Sequence, residues 1–173
     1  MIAPVPLPAH GQRPASSDSV RLLDVTPVLG VAADGCVITC GVMVAAFYGV
    51  AGLTQRNLAE RCGVAWPPRG GLRLTVLATA LQHYGIHSQL IGGLSLATIE
   101  DAMVRGAPII GGHAVTPDNV LGHAVVICGL IRPMGQGAQV VVADPNIKFR
   151  LLVDAATMVA SARNSLLLQG RTP

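Results

Sequence analysis

Residues 34–49, DGCVITCGVMVAAFYG, constrain the fold of this chain more than any other stretch. From Val37 to Phe47 the run has helical length and carries no charge, so the helix it forms is apolar nearly all round. Such a helix must be enclosed by other elements rather than laid on a surface. Asp34-Gly35 reads as a turn, which places Cys36 in the first turn of that helix. There the backbone N–H groups lack intrahelical partners, and the positive end of the macrodipole favours an anion. A thiol in such a place has its pKa lowered, and the thiolate is the nucleophilic form. A free cysteine can equally be a small buried hydrophobe. The helix alone leaves both readings open.

The elements around it read in order. Residues 1–19 are rich in Pro, Ala and Ser and have no acid before Asp18, so a flexible arm is expected there, followed by one domain over 20–173. Residues 20–29 make a short extended lead-in, kept at an edge by Pro27. Thr54 caps a helix start, with Leu53 and Leu58 as a hydrophobic staple, and Gly63 closes it. Leu74, Leu77, Ala78 and Leu81 form a helical stripe within residues 72–84, stopped by Gly85. Trp66, in the loop over residues 64–71, is either a cleft wall or a core plug. Residues 86–91 read as a strand, and Ser95 caps a helix with Leu96, Ile99 and Met103 on one face, ending at Gly106. From there strands dominate: 107–111, 121–130 and 139–143, then a helix over 153–163 and a closing strand over 165–169. Helices first and antiparallel strands after them give an α+β domain, with the Cys36 helix packed on the sheet.

Composition limits what such a domain can do. With 173 residues, 51% hydrophobic and 12% charged, the chain can bury a sizeable aliphatic core. No apolar stretch approaches the ~18 residues of a membrane span, and the N-terminus lacks the basic start and apolar block of a secretory signal. The expectation is a cytoplasmic protein, or one exported without a cleaved signal. A net charge of +3 with two Tyr, two Phe and one Trp offers no stacking surface for nucleic acid, so neither nucleic acid nor membrane is an expected partner. Four cysteines in this context suggest reduced thiols. Cys36 and Cys40 lie one helical turn apart, but without a CxxC pair or a nearby His a zinc site has little support, and no cofactor is expected.

A cysteine nucleophile needs a base, and the base needs an orienting group. His123 opens the strongly apolar run GHAVVICG, where strand alternation puts it on one face with Val125 and Ile127. Asp144 ends the following strand, before the pairing-breaker Pro145. A hairpin centred on the Gly-rich turn at 132–137 would set His123 opposite Asp144 at its open end. The alternative is a satisfied core histidine and an ordinary Asp-Pro-Asn turn. His113, in a second GHAV copy, is the runner-up base. His83, His87, His10, Cys40, Cys62 and Cys128 read as surface, arm or packing residues.

Taken together, these motifs resemble the papain-like cysteine peptidases of the bacteriocin-leader-processing (double-glycine) type and their stand-alone relatives, some of them bacterial effectors. Cys36, Cys40, Met43 and Phe47-Tyr48-Gly49 match the nucleophile helix. Gly122 to Ile127 match the histidine strand, and Asp144-Pro145 match the terminal acid. The resemblance spans roughly residues 28–147. It implies a papain-like fold, Cys36 as nucleophile, His123 as base, Asp144 as orienting acid, and a protein or peptide substrate. It also implies a glutamine six residues before the nucleophile as an oxyanion donor, where this chain has Gly30. Losing such a donor typically slows turnover by about 100- to 1,000-fold. If only the side chain is missing, Gly30→Gln should raise the rate. The sequence leaves open hydrolysis of a peptide or isopeptide bond, glutamine deamidation or acyl transfer by the same triad, and an inactive binding module.

Overall fold

The computed structural model describes residues 19–113 and 122–172. The chain runs β1 (Ser19–Leu22), α1 (Cys36–Phe47), α2 (Gln55–Arg61), α3 (Leu74–Gln82), β2 (Ile86–Ile91), α4 (Leu96–Val104) and β3 (Ile109–His113). It continues with β4 (His123–Arg132), β5 (Gln139–Ala143), β6 (Arg150–Asp154), α5 (Ala155–Ser161) and β7 (Ala162–Arg171). The strands form one antiparallel sheet in the order β2-β7-β3-β4-β5-β6. β4 is the sheet's spine. On one side it pairs with β5. On the other it pairs first with β3 and then, over its second half, with β1.

Alternation along β4 divides the interior in two. Ala124, Val126 and Cys128 face a core shared with α1, α2 and α3. Val125 and Ile127 face a second core with Ile99 and Met103 of α4 and Met158 of α5. The sheet is thus covered on both faces, the reason β4 reads as an unbroken apolar run. α1 sits in the first core with Ile38, Cys40, Met43, Val44 and Ala45 fully enclosed. Its close fit depends on Gly41, where a Cβ would lie 2.6 Å from Leu77 Cδ1 and 2.7 Å from Leu58 Cδ2. Trp66 is a partly buried member of this core.

Thr54 and Ser95 cap α2 and α4 as their sequence positions predict, accepting the N–H groups of Asn57 and Thr98. β2, β5 and the start of α4 fall where expected. β6 is the strand that sequence reading missed. It occupies residues expected to be a loop and the start of a helix, and Asp154 caps the shorter α5 instead. Arg150 at its head bonds Val25 O at 2.8 Å and Asp24 Oδ1 at 2.9 Å, fixing the lead-in to α1. Most of the arm expected over 1–19 lies outside the described residues; Ser19 itself opens β1. No described helix is long and apolar enough to cross a membrane.

Candidate active site

Cys36 is the first residue of α1, directly after Gly35, which caps the helix without a side chain. The turn before it is closed by Gly35 N–H donating to Ala32 O at 3.0 Å. Asp34 tethers the turn outward, its Oδ2 accepting the Gly70 N–H at 2.8 Å. Unlike the fully buried Cys40 and Cys128, Cys36 is partly exposed.

His123 is the first residue of β4, and its imidazole lowers the Cys36 thiol. Strand alternation alone would turn it, with Val125 and Ile127, toward the α4 layer. Its imidazole nevertheless acts on Cys36 at the head of α1. Its Nε2 donates to Asp144 Oδ1 at 2.8 Å, leaving Nδ1 as the ring nitrogen for the sulfur. The two side chains are only 18% and 19% exposed, so water screens this pair weakly.

The hairpin register differs from the sequence expectation. β4 and β5 pair Val126 with Ala143 and Ile127 with Val142, and the ladder slips between Ile127 and Gly129. Continued outward, this register sets Asn146 rather than Asp144 level with His123. Asp144 instead reaches the imidazole from the turn beyond β5, where its Oδ1 also accepts the Asn146 N–H at 2.8 Å. Asn146 Nδ2 stands 3.5 Å from His123 Nε2. The offset arises at the hairpin turn, where Gly129 pairs with Val141 and Ile131 with Gln139, and the slip recovers one residue of it.

The electrostatics are set by these contacts. Burial pushes the Cys36 thiol up, but the His123 hydrogen bond, the Ala124 N–H, the imidazolium charge and the Val37 N–H together outweigh it and leave the thiol lowered. His123 is raised to about 9, first by its hydrogen bond to Asp144 and then by that to Cys36, against the opposing effect of burial. Both shifts favour a thiolate–imidazolium pair. Burial pushes the other thiols the opposite way, Cys62 and Cys128 to about 11 and Cys40 well above its ordinary value. His113 lies opposite His123 in the β3–β4 ladder, and His87 Nε2 is 3.1 Å from Thr172 Oγ1. Among the described residues no His, Cys, Asp and Glu cluster could hold a metal ion.

Position 30 is a tight joint rather than an open slot. Gly30 N–H donates to Pro145 O at 2.6 Å. A Cβ there would sit 3.3 Å from both Pro145 O and Thr39 Oγ1. Gln55, which sequence reading passed over, grips both neighbours. Its Nε2 donates to Leu29 O at 2.8 Å, and its Oε1 accepts the Val31 N–H at 3.2 Å. The N–H groups of residues 30 and 31 are therefore engaged and unavailable to a substrate oxygen.

No family model and no curated protein sequence matches the chain. Solved structures do. The peptidase domain of Streptococcus ComA, a bifunctional ABC transporter of a quorum-sensing pathway, superposes with TM-score 0.66 at 17% identity over 85% of this chain and 99% of its own. A double-glycine-motif protease of an AMS/PCAT transporter, solved with its leader peptide, gives 0.62 at 18% over 87% of this chain and 94% of its own. A protein from Bacillus anthracis described as a C39-like peptidase gives 0.64 at 13% over 89% of this chain and all of its own. With five helices on a seven-stranded antiparallel sheet among the described residues, the chain has the α+β papain-like fold of these peptidase domains.

Proposed function

We propose that the protein is a cysteine peptidase that cleaves a peptide or isopeptide bond, with Cys36 as nucleophile, His123 as acid and base, and Asp144 as the orienting acid. The observation that carries this reading is the conjunction at the head of α1. A partly exposed thiol is lowered by an imidazole whose Nε2 is held at 2.8 Å by a carboxylate. The peptidase folds it resembles, one of them solved around a leader peptide, support a peptide as the substrate class.

The reaction proceeds in two stages. The Cys36 thiolate attacks the scissile carbonyl carbon, and the electron pair moves to its oxygen to give a tetrahedral adduct. As that adduct collapses, the C–N bond breaks and the leaving nitrogen takes the proton from His123, leaving a thioester on Cys36. His123, now neutral, takes a proton from water, whose oxygen attacks the thioester. The C–S bond breaks, releasing a carboxylic acid and restoring the ion pair. Asp144 keeps Nε2–H engaged, so Nδ1 is the nitrogen that exchanges protons throughout. The Cys36 backbone N–H, in the first turn of α1, is one donor for the transient oxyanion.

The test is product mass spectrometry on a mixed peptide library. The wild type should yield paired fragments with a water added across one bond, and Cys36→Ala and His123→Ala should yield none. Intact peptides converted from glutamine to glutamate would transfer the triad to deamidation. Cleavage surviving in Cys36→Ala would overturn the assignment.

A further inference from the structure

Gln55 lies outside every motif that pointed to the site, yet it holds the segment that leads into it. It is the first residue of α2 and only partly buried. Its amide bonds the main chain on either side of Gly30, at Leu29 O and Val31 N. Its Oε1 is also 3.2 Å from the fully buried Thr39 hydroxyl, one turn into α1 from Cys36, a hydroxyl that shares its proton with Gly35 O at 3.0 Å. The strap so held then reaches across to the acid loop through Gly30 N–H and Pro145 O at 2.6 Å, adjacent to Asp144. Gly30 fits this joint because it lacks a Cβ, which would press on Pro145 and Thr39 at once.

We propose that Gln55 is a positioning residue of the active site, clamping residues 29–31 between the nucleophile helix and the Asp144 loop so that Asp144 stays in register with His123. The proposal rests on the peptidase reading of the same triad. It gives position 30 a role as well. A glycine there serves a mechanical joint, and a side-chain amide from α2 holds the strand of chain that a glutamine at position 30 would have disrupted. A glutamine amide suits the task because it offers a donor and an acceptor to a main chain that presents one of each.

The groups whose titration reads out the clamp are Cys36 and His123, with Asp144 against the imidazole. Loss of the clamp lets Asp144 drift, weakens the imidazolium, and raises the Cys36 thiol. The experiment tracks iodoacetamide alkylation of Cys36 from pH 5 to 10 by peptide mass spectrometry, in wild type, Gln55→Ala and Gln55→Met. Methionine keeps the length and packing of the side chain without its hydrogen bonds, and guards against a mere folding loss in the alanine variant. Both variants should alkylate about threefold to tenfold more slowly at pH 6 and converge on the wild type by pH 10, as expected for a loss near one hydrogen bond. A wild-type profile in Gln55→Met, whatever its melting temperature, would overturn the clamp. If wild-type Cys36 itself titrated as an ordinary thiol, the triad reading would fail instead, which the same data distinguish.

Discussion

Asp144→Asn isolates the carboxylate that most strongly holds the proton on His123. The imidazole stands at about 9 against an ordinary value of 6.5. That difference corresponds to about 3 kcal/mol favouring the imidazolium, taken at ~1.4 kcal/mol per tenfold in the acid constant. The Asp144 hydrogen bond is the largest contributor, the Cys36 hydrogen bond is second, and burial opposes both. Asparagine keeps the shape but removes the charge, so about half of the effect should vanish, a change of roughly 10- to 100-fold in the acid constant. The His123 midpoint should therefore fall while remaining above that of an isolated imidazole, because the Cys36 thiolate persists. Histidine side-chain NMR titration measures this directly, with His123→Ala assigning the resonance among the five histidines. Peptidase turnover should fall in parallel by about 10- to 100-fold at neutral pH, within the usual range for disturbed acid–base catalysis. A His123 midpoint unchanged in Asp144→Asn would refute the reasoning, because the 2.8 Å bond would then be electrostatically idle.

The same contacts have other measurable consequences. Peptidase activity should rise with pH as Cys36 ionises below its ordinary 9.0, and fall again as His123 loses its proton near 9, since the leaving amine needs that proton. A pH–rate profile lacking the alkaline limb would assign the acid elsewhere. Gly30→Gln should not raise turnover, because its Cβ points into the Pro145–Thr39 joint; it should instead lower stability by about 1–3 kcal/mol, read from urea midpoints. A gain in rate would show that the joint yields and an oxyanion slot exists. Gly41→Ala should destabilise despite a helix-propensity gain of up to ~1 kcal/mol, because its Cβ would meet Leu77 and Leu58 below 3 Å. A higher melting temperature would mean that the α1–α2–α3 contact is looser than its geometry implies.

How much of this was legible in the sequence varied with the reach of the interaction. Caps and stops are local, so Thr54, Ser95, Gly63 and Gly85 end or begin helices where their chemistry says. The Cys36 helix was legible because an uncharged, all-round apolar run has few places to go. β6 was not, since its half-exposed Leu151, Leu152 and Val153 alternate weakly and merge into the α5 pattern. His123 and Asp144 were paired correctly as side chains but by a register that the sheet does not use. The hairpin turns later than its glycines suggest, so the ladder stays two residues off the expected pairing even after the slip at Cys128, and the turn after β5 brings the carboxylate back. Gln55 was invisible because its partners at Leu29 and Val31 are main-chain groups 24 to 26 residues away, which every residue type presents alike.

The central claim is that Cys36 alone is activated, and competitive labelling of the four cysteines tests it most directly. Native protein is treated with limiting iodoacetamide at pH 6.5, then unfolded, labelled with a heavy reagent and mapped by mass spectrometry, in wild type and His123→Ala. Light label should be confined to Cys36 in the wild type, with Cys40, Cys62 and Cys128 protected by burial and raised pKa, and labelling of Cys36 should drop sharply in His123→Ala. Equal labelling of the partly exposed thiols Cys36 and Cys62, or Cys36 labelling indifferent to the loss of His123, would contradict it.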